Sequence, residues 1–368
     1  MSPEQSTEQL EWSEIELLAT DDIAAPLIAG GRRCHGGFDS AGNYVSPRTK
    51  GRTPAITNWQ EHHRATFGTE VLDAPLETWP EGYPNVAQAK YLIAEGVREP
   101  MITQLTRIGT VEGFGAMIRH AHVGDLQRFF EDPIAGTALA HLDAGLFEAH
   151  ARDEAGYEDE AGHRDMWFAA RDIAFEAPPT EDQTAIMFER MGITNANPTA
   201  QQIADAQLAF RVHDDLDPAF ESMIRRMLGI LFIEISAFHT FVWAEAVLAD
   251  ETLVARDGEA ARIVSYIRAD ETPHVEYLKT ALTEIRDRTL IGESGTRLSG
   301  AQVITTLWNL ALADSLGTRR DAFLKTVLLE LEHSLEGHRR RGEILEGFHA
   351  LGTIRPTPAG EFTAVATY

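Results

Sequence analysis

Four short stretches of this chain place a glutamate three residues ahead of a histidine: Glu160/His163, Glu271/His274, Glu330/His333 and Glu346/His349. Residues three apart share a helix face, so each pair offers a carboxylate and an imidazole side by side, a donor set for a transition metal. Four such pairs exceed what composition alone would produce, but their number does not say which matter. Helix geometry does. When two helices are joined by a turn, residues equidistant from it stand at equal height. Glu112 and Glu160 are equidistant from residue 136, in the breaker EDPIAG (131–136). Glu234 and Glu271 flank ADETLVARDG (249–258) in the same way. The other two pairs share one expected helix and have no facing carboxylate, so they read as chance on a charged surface. The expected site is therefore Glu112, Glu160 and His163 with Glu234, Glu271 and His274. Two divalent cations would neutralise its four carboxylates. Oxygen donors suit iron or manganese, and the imidazoles favour a transition metal over calcium or magnesium. Four such acids buried without a metal would be strongly unfavourable.

Helices must position these residues. Apolar residues recur at three- and four-residue spacing over roughly 99–131, 137–176, 217–249, 257–289, 300–315 and 320–348, with few strand signals. The fold class is all-α. Further breaks fall at 177–183, 195–200 and 291–300. Two helix–turn–helix units separated by a crossover of about forty residues suit a four-helix bundle with one long connection. The first 98 residues, rich in Gly and Pro, read as a wrapping segment with short helices. Residues 99–290 form the bundle, 291–352 a C-terminal helical hairpin and 353–368 a loose tail.

Composition narrows the class. Lys and Arg number 32 against 57 Asp and Glu, a net charge of −25 that would repel nucleic acid. The single cysteine, Cys34, leaves no internal disulfide and no thiolate metal site. A lone thiol and the lack of a basic, apolar leader fit a cytoplasmic protein. The stretch 227–249 is apolar enough to suggest a membrane span, but Glu234, His239 and Glu245 within it favour a buried helix instead.

The segments Asp159-Glu160-Ala-Gly-His163-Arg164 and Asp270-Glu271-Thr-Pro-His274 resemble the paired motifs of ferritin-like non-haem di-iron carboxylate proteins. That superfamily includes acyl-carrier-protein desaturases, bacterial multicomponent monooxygenases, ribonucleotide reductase small subunits and arylamine N-oxygenases. The resemblance spans about residues 105–290. It implies a ferritin-like bundle, with all six expected residues acting as metal ligands and catalytic groups for two iron ions, manganese being the alternative. It also implies that Asp159 and Asp270 each orient the histidine of the opposite motif.

The departures are informative. Trp167 stands where reductase subunits carry a radical tyrosine. Ile267 stands where N-oxygenases carry a third histidine, and Phe238 where hydrocarbon monooxygenases carry a threonine. Pro273, inside the second motif, should kink its helix at the metal. Tyr157, His239, His120, His122, His141 and His150 read as packing residues. Trp167 reads as a core aromatic or an electron relay. Gly113, Gly115, Gly156 and Gly162 leave room either for substrate or for close helix approach. His35, His62 and His63 could line a pocket mouth.

The resemblance implies an O2-dependent oxygenase acting on a small molecule. Oxidation of an amine or hydrazine nitrogen is slightly favoured, and C–H hydroxylation or desaturation is the alternative. Electrons would come from an external donor such as a ferredoxin and its reductase, because no flavin or nicotinamide fingerprint is present. The −25 charge disfavours a desaturase that docks acidic acyl carriers. The expected assembly is a homodimer, with no nucleic-acid or membrane partner. A metal-storage or purely structural bundle is the reading from another class.

Overall fold

The computed structural model describes residues 9–176, 205 and 208–354. The expected breaks at 177–183 and 195–200, and most of the tail, lie outside them. The described chain is mostly helical. In order come α1 (Glu14–Leu17), a three-stranded antiparallel sheet of β1 (Ala25–Ala29), β2 (Arg32–Phe38) and β3 (Tyr44–Val45), then α2 (Arg52–Phe67), α3 (Val86–Ala94) and α4 (Glu99–Gly115). There follow α5 (Phe147–Ala155), α6 (His163–Phe175), α7 (Pro218–Leu248), α8 (Glu259–Asp270) and α9 (Thr272–Arg286). A small hairpin of β4 (Thr289–Ile291) and β5 (Arg297–Ser299) leads to α10 (Gly300–Ala313), α11 (Arg320–Ser334) and α12 (Arg341–Ala350).

Local chemistry sets several of these boundaries. Asp217 caps α7, accepting from the backbone N–H of Ala219 and Phe220, and Pro218 fills the first turn where no N–H is needed. The expected helix 99–131 stops at Gly115 and continues as a 3₁₀ turn over Ala116–His120. The expected helix 137–176 is interrupted twice, at Gly145 (φ 138°) and Gly156 (φ 82°). The break at Glu271, between α8 and α9, is the interruption that Pro273 leads one to expect. The expected helix 320–348 divides at the turn 335–340, where Gly337 takes a φ of 72°. The N-terminal sheet departs from the helical expectation for that segment.

α4 packs along both α5 and α6, α6 packs on α8, and α7 packs on both α8 and α9. Two hydrophobic cores meet within this assembly. On α7, Phe220 to Ile235 belong to one core and Phe241 to Leu248 to the other. Across α8 and α9, Ile263 to Ile267 and Val275 to Ile285 divide likewise. Phe147 and Ala151 on α5 side with the first core, Met166 to Phe175 on α6 with the second. The polar residues described below fill the seam. α7 is long and apolar enough to cross a membrane, yet half of its apolar stretch is buried within the protein and it delivers Glu234 to that seam.

Candidate metal centre

Four carboxylates and three imidazoles converge in the seam. Glu112, Glu154, His163 and Glu271 form one group, and His150, Glu154, Glu234 and His274 form another. Within each group the ligand atoms lie within 4.8 Å of one another, and Glu154 belongs to both. Glu271 also reaches both ways: Oε1 is 3.0 Å from His163 Nδ1, and Oε2 is 2.7 Å from His274 Nδ1. Glu154 Oε1 is 3.2 Å from His274 Nδ1 and 3.5 Å from His163 Nδ1. Glu234 Oε1 lies 3.3 Å from His150 Nε2, and the His150 and His274 rings stack with centroids 3.9 Å apart.

The second motif is built as its sequence reads. Asp270, Glu271 and His274 follow one another across the α8–α9 junction, all fully buried. The first is not. Glu160 lies in a tight turn over 157–160, with its side chain partly exposed and accepting from Arg33 at 2.9 Å. Asp159 is exposed in the same turn. Both expectations are corrected: Glu154 and Asp153, fully buried at the end of α5, stand where Glu160 and Asp159 were expected. The physical reason is the glycine pair. Gly156 ends α5, and a Cβ on Gly162 would lie 2.3 Å from the Gly156 nitrogen and 2.6 Å from the Asp153 carbonyl oxygen. Only bare backbone can close that turn, and its closure returns His163, the first residue of α6, to the level of Glu154. Gly115 serves the same end, since a Cβ there would meet Glu154 Cγ at 2.7 Å. These glycines therefore serve close approach.

His150 was also missed, having been read as a packing residue. It lies one turn before Glu154 on α5, with its Nδ1 3.0 Å from the Tyr277 hydroxyl. A sequence signal exists for Glu154, though not for His150. Asp153-Glu154 repeats the Asp-Glu pair of 270–271, and residues 112 and 154 are equidistant from residue 133, also inside EDPIAG. The remaining expected residues Glu112, His163, Glu234, Glu271 and His274 are all in the cluster. Trp167 donates to Glu112 Oε1 at 3.2 Å and stacks on Phe241. His239 points away, to the Leu76 carbonyl oxygen, and Tyr157 stacks under Arg152. Glu330 pairs with Arg107 outside the cluster.

The cluster is electrostatically unfinished. Among the described residues, His150 Nε2, both carboxylate oxygens of Glu154 and of Glu271, both nitrogens of His163 and His274 Nδ1 are buried without a well-formed hydrogen bond. In the protein alone, burial and the neighbouring carboxylates raise the acids: Glu112 is pushed up to about 7, and Glu154 and Glu271 are held well above the usual range. His163, although buried, is raised well above its ordinary value by Glu271 and Glu154, while burial and His150 lower His274 to about 3. Four glutamates with Asp153 and Asp270 bring six negative charges, and Arg48 and Arg52 beside Asp153 return two positive ones. Fully ionised, these acids and arginines would leave a net charge of −4. These buried clusters could hold a metal ion.

Comparison with protein-family models, with curated proteins and with solved structures finds no match to this chain, so geometry and chemistry alone carry the functional reading.

Proposed function

We propose that this chain is a di-metal oxidoreductase of ferritin-like bundle type, holding two iron ions and using O2 to oxidise a small molecule. The observation that carries the reading is the set of buried donor atoms, unsatisfied among themselves and grouped in two quartets that share Glu154. Two ferrous ions held there would supply the electrons and the open coordination positions that O2 reduction needs.

The chain's own residues have separable roles. Glu154 and Glu271 reach both quartets and would bridge the ions. Glu112 and Glu234 would each serve one. His163 would serve the first ion, and His150 and His274 the second. Glu112 is the one member of the quartets that is not fully buried. It therefore marks the side from which a small substrate would approach.

The third histidine bears on the substrate. The arylamine N-oxygenases that the motifs resemble place an extra histidine four residues before a motif glutamate. His150 stands four residues before Glu154, in the first motif rather than the second. That likeness, with Phe238 in place of the hydroxylases' threonine, favours oxidation of an amine or hydrazine nitrogen over C–H hydroxylation. The electron donor is external, a ferredoxin-type protein with its reductase.

Elemental analysis after anaerobic loading with ferrous iron tests the proposal. Two metals per chain, and O2 uptake that needs an added reductant and is hastened by amines, are the expected results. A folded protein that takes up no metal would overturn it.

A further inference from the structure

Each cluster histidine turns one ring nitrogen inward and the other toward an outer group, hydrogen-bonded for His150 and His274 and at a longer ion-pair distance for His163. For His274 and His163 those groups are Asp153 and Asp270. His274 Nε2 lies 2.9 Å from Asp153 Oδ2, and His163 Nε2 lies 3.5 Å from Asp270 Oδ2. Both aspartates are fully buried, and the N-terminal segment holds each of them with a different set of groups.

Asp153 is gripped by two arginines. Arg48 donates through Nε at 2.6 Å and through its guanidinium nitrogen at 2.5 Å to Oδ1, and Arg52 approaches Oδ2 at 2.7 Å. Arg48, almost fully buried, also contacts His35 Nδ1 at 3.1 Å. Among the described residues, no arginine pairs with Asp270. It accepts from the Tyr44 hydroxyl at 2.8 Å and lies 3.4 Å from His35 Nε2. Tyr44 reaches Asp270 past Gly36, where a Cβ would sit 2.6 Å from the hydroxyl oxygen. β2 is itself fixed to the first motif, with His35 N–H donating to the Ala161 carbonyl and Ala161 N–H to the Arg33 carbonyl.

The two aspartates serve different quartets. Asp153 orients His274, of the quartet that contains His150 and Glu234. Asp270 orients His163, of the quartet that contains Glu112. We propose that Arg48 and Tyr44 are positioning residues, each fixing one half of the centre: Arg48 through Asp153 and His274, Tyr44 through Asp270 and His163. This rests on the di-metal reading above. It adds that metal affinity is set from outside the bundle, and separately for each ion. Partners beyond the ligands fix ring orientation and tautomer, and losing one commonly costs roughly ten- to a hundredfold in metal affinity.

The test is an anaerobic titration of the metal-free full-length protein with Co²⁺, followed by visible absorption and by the paramagnetically shifted imidazole N–H resonances. Wild-type protein should bind two Co²⁺. In Arg48→Gln, one equivalent should weaken by about ten- to a hundredfold and the His274 N–H signal should broaden into exchange, with the His163 signal kept. Arg48→Lys, which restores the charge without the two-pronged contact, should recover part of that loss. In Tyr44→Phe, an isosteric change that keeps the stack on Tyr266, the other equivalent and the His163 signal should be the ones affected. Two intact equivalents in both variants, or equal loss of both equivalents in each, would overturn the assignment. Wild-type protein that binds no Co²⁺ would instead remove the metal reading, and this inference with it.

Discussion

The two motif-bearing segments of this protein reach the same chemistry by different local structures. In the second, Asp270, Glu271 and His274 follow helical spacing, and Pro273 only interrupts the ladder. In the first, Asp153-Glu154 and His163 are nine positions apart, because the turn 156–162 is folded out between them. Glutamate, histidine and an outer aspartate nonetheless stand in corresponding places. Spacing along a sequence is thus a reliable guide to a site only where the helix carrying it is unbroken. The glycines at 156 and 162 are what make the longer spacing workable.

The sharpest test exchanges the two glutamates of the first segment. Glu154→Ala should abolish binding of both ions, measured as metal per chain. Glu160→Ala should retain both and lose only the Arg33 contact, under about 1 kcal/mol in denaturant unfolding. The opposite pattern would restore the contiguous reading of the first motif.

Next in size is the turn itself. Gly162→Ala should destabilise the protein by about 3 kcal/mol and release the ion held by His163. Thr272→Ala, exposed at the matching interval of the second segment, should stay within about 0.5 kcal/mol. A benign Gly162→Ala would show that the turn does not set the site.

His150 has no counterpart in the second segment, where Ile267 holds the equivalent position. His150→Ala should lower metal content from two per chain toward one, with the second quartet emptied.

The smallest effect is on pH dependence, and it applies to metal-stripped protein only. Glu112, Glu154, Glu271 and His163 hold protons in the folded state that the unfolded chain would release. Above about pH 7.5, where His274 is neutral in both states, stability should fall as pH rises through the folded-state values that lie higher. Metal-loaded protein should lack that slope. Thermal melts of the two forms at pH 7.5 and 8.5 would distinguish them.

Much of this was legible in advance, for reasons that can be named. Apolar spacing predicts α7 to within a residue at either end, because its apolar run is long. Glu234 was readable because a lone acid in such a helix demands a partner. The division at Glu271 followed from Pro273. What failed was the assumption that 137–176 is one helix. Gly156 is compatible with a helix interior, and only the Gly162 backbone lying against it shows that it ends one. His150 was lost for lack of a facing acid in sequence, since its partners Glu234 and Tyr277 come from distant helices. The N-terminal sheet is hard to read from sequence because β2 carries Arg, His and Gly in place of alternating apolar residues.

The position of the polar cluster between the two hydrophobic cores has one more consequence. α7 crosses that boundary, and α5–α6 and α8–α9 change helix at it. The protein's oily interior is therefore joined across its middle by buried acids and imidazoles in place of apolar packing. Loading the centre would weld two bodies into a single cooperative unit. Emptying it would leave them free to melt separately, so a calorimetric trace should resolve one transition with metal and two without.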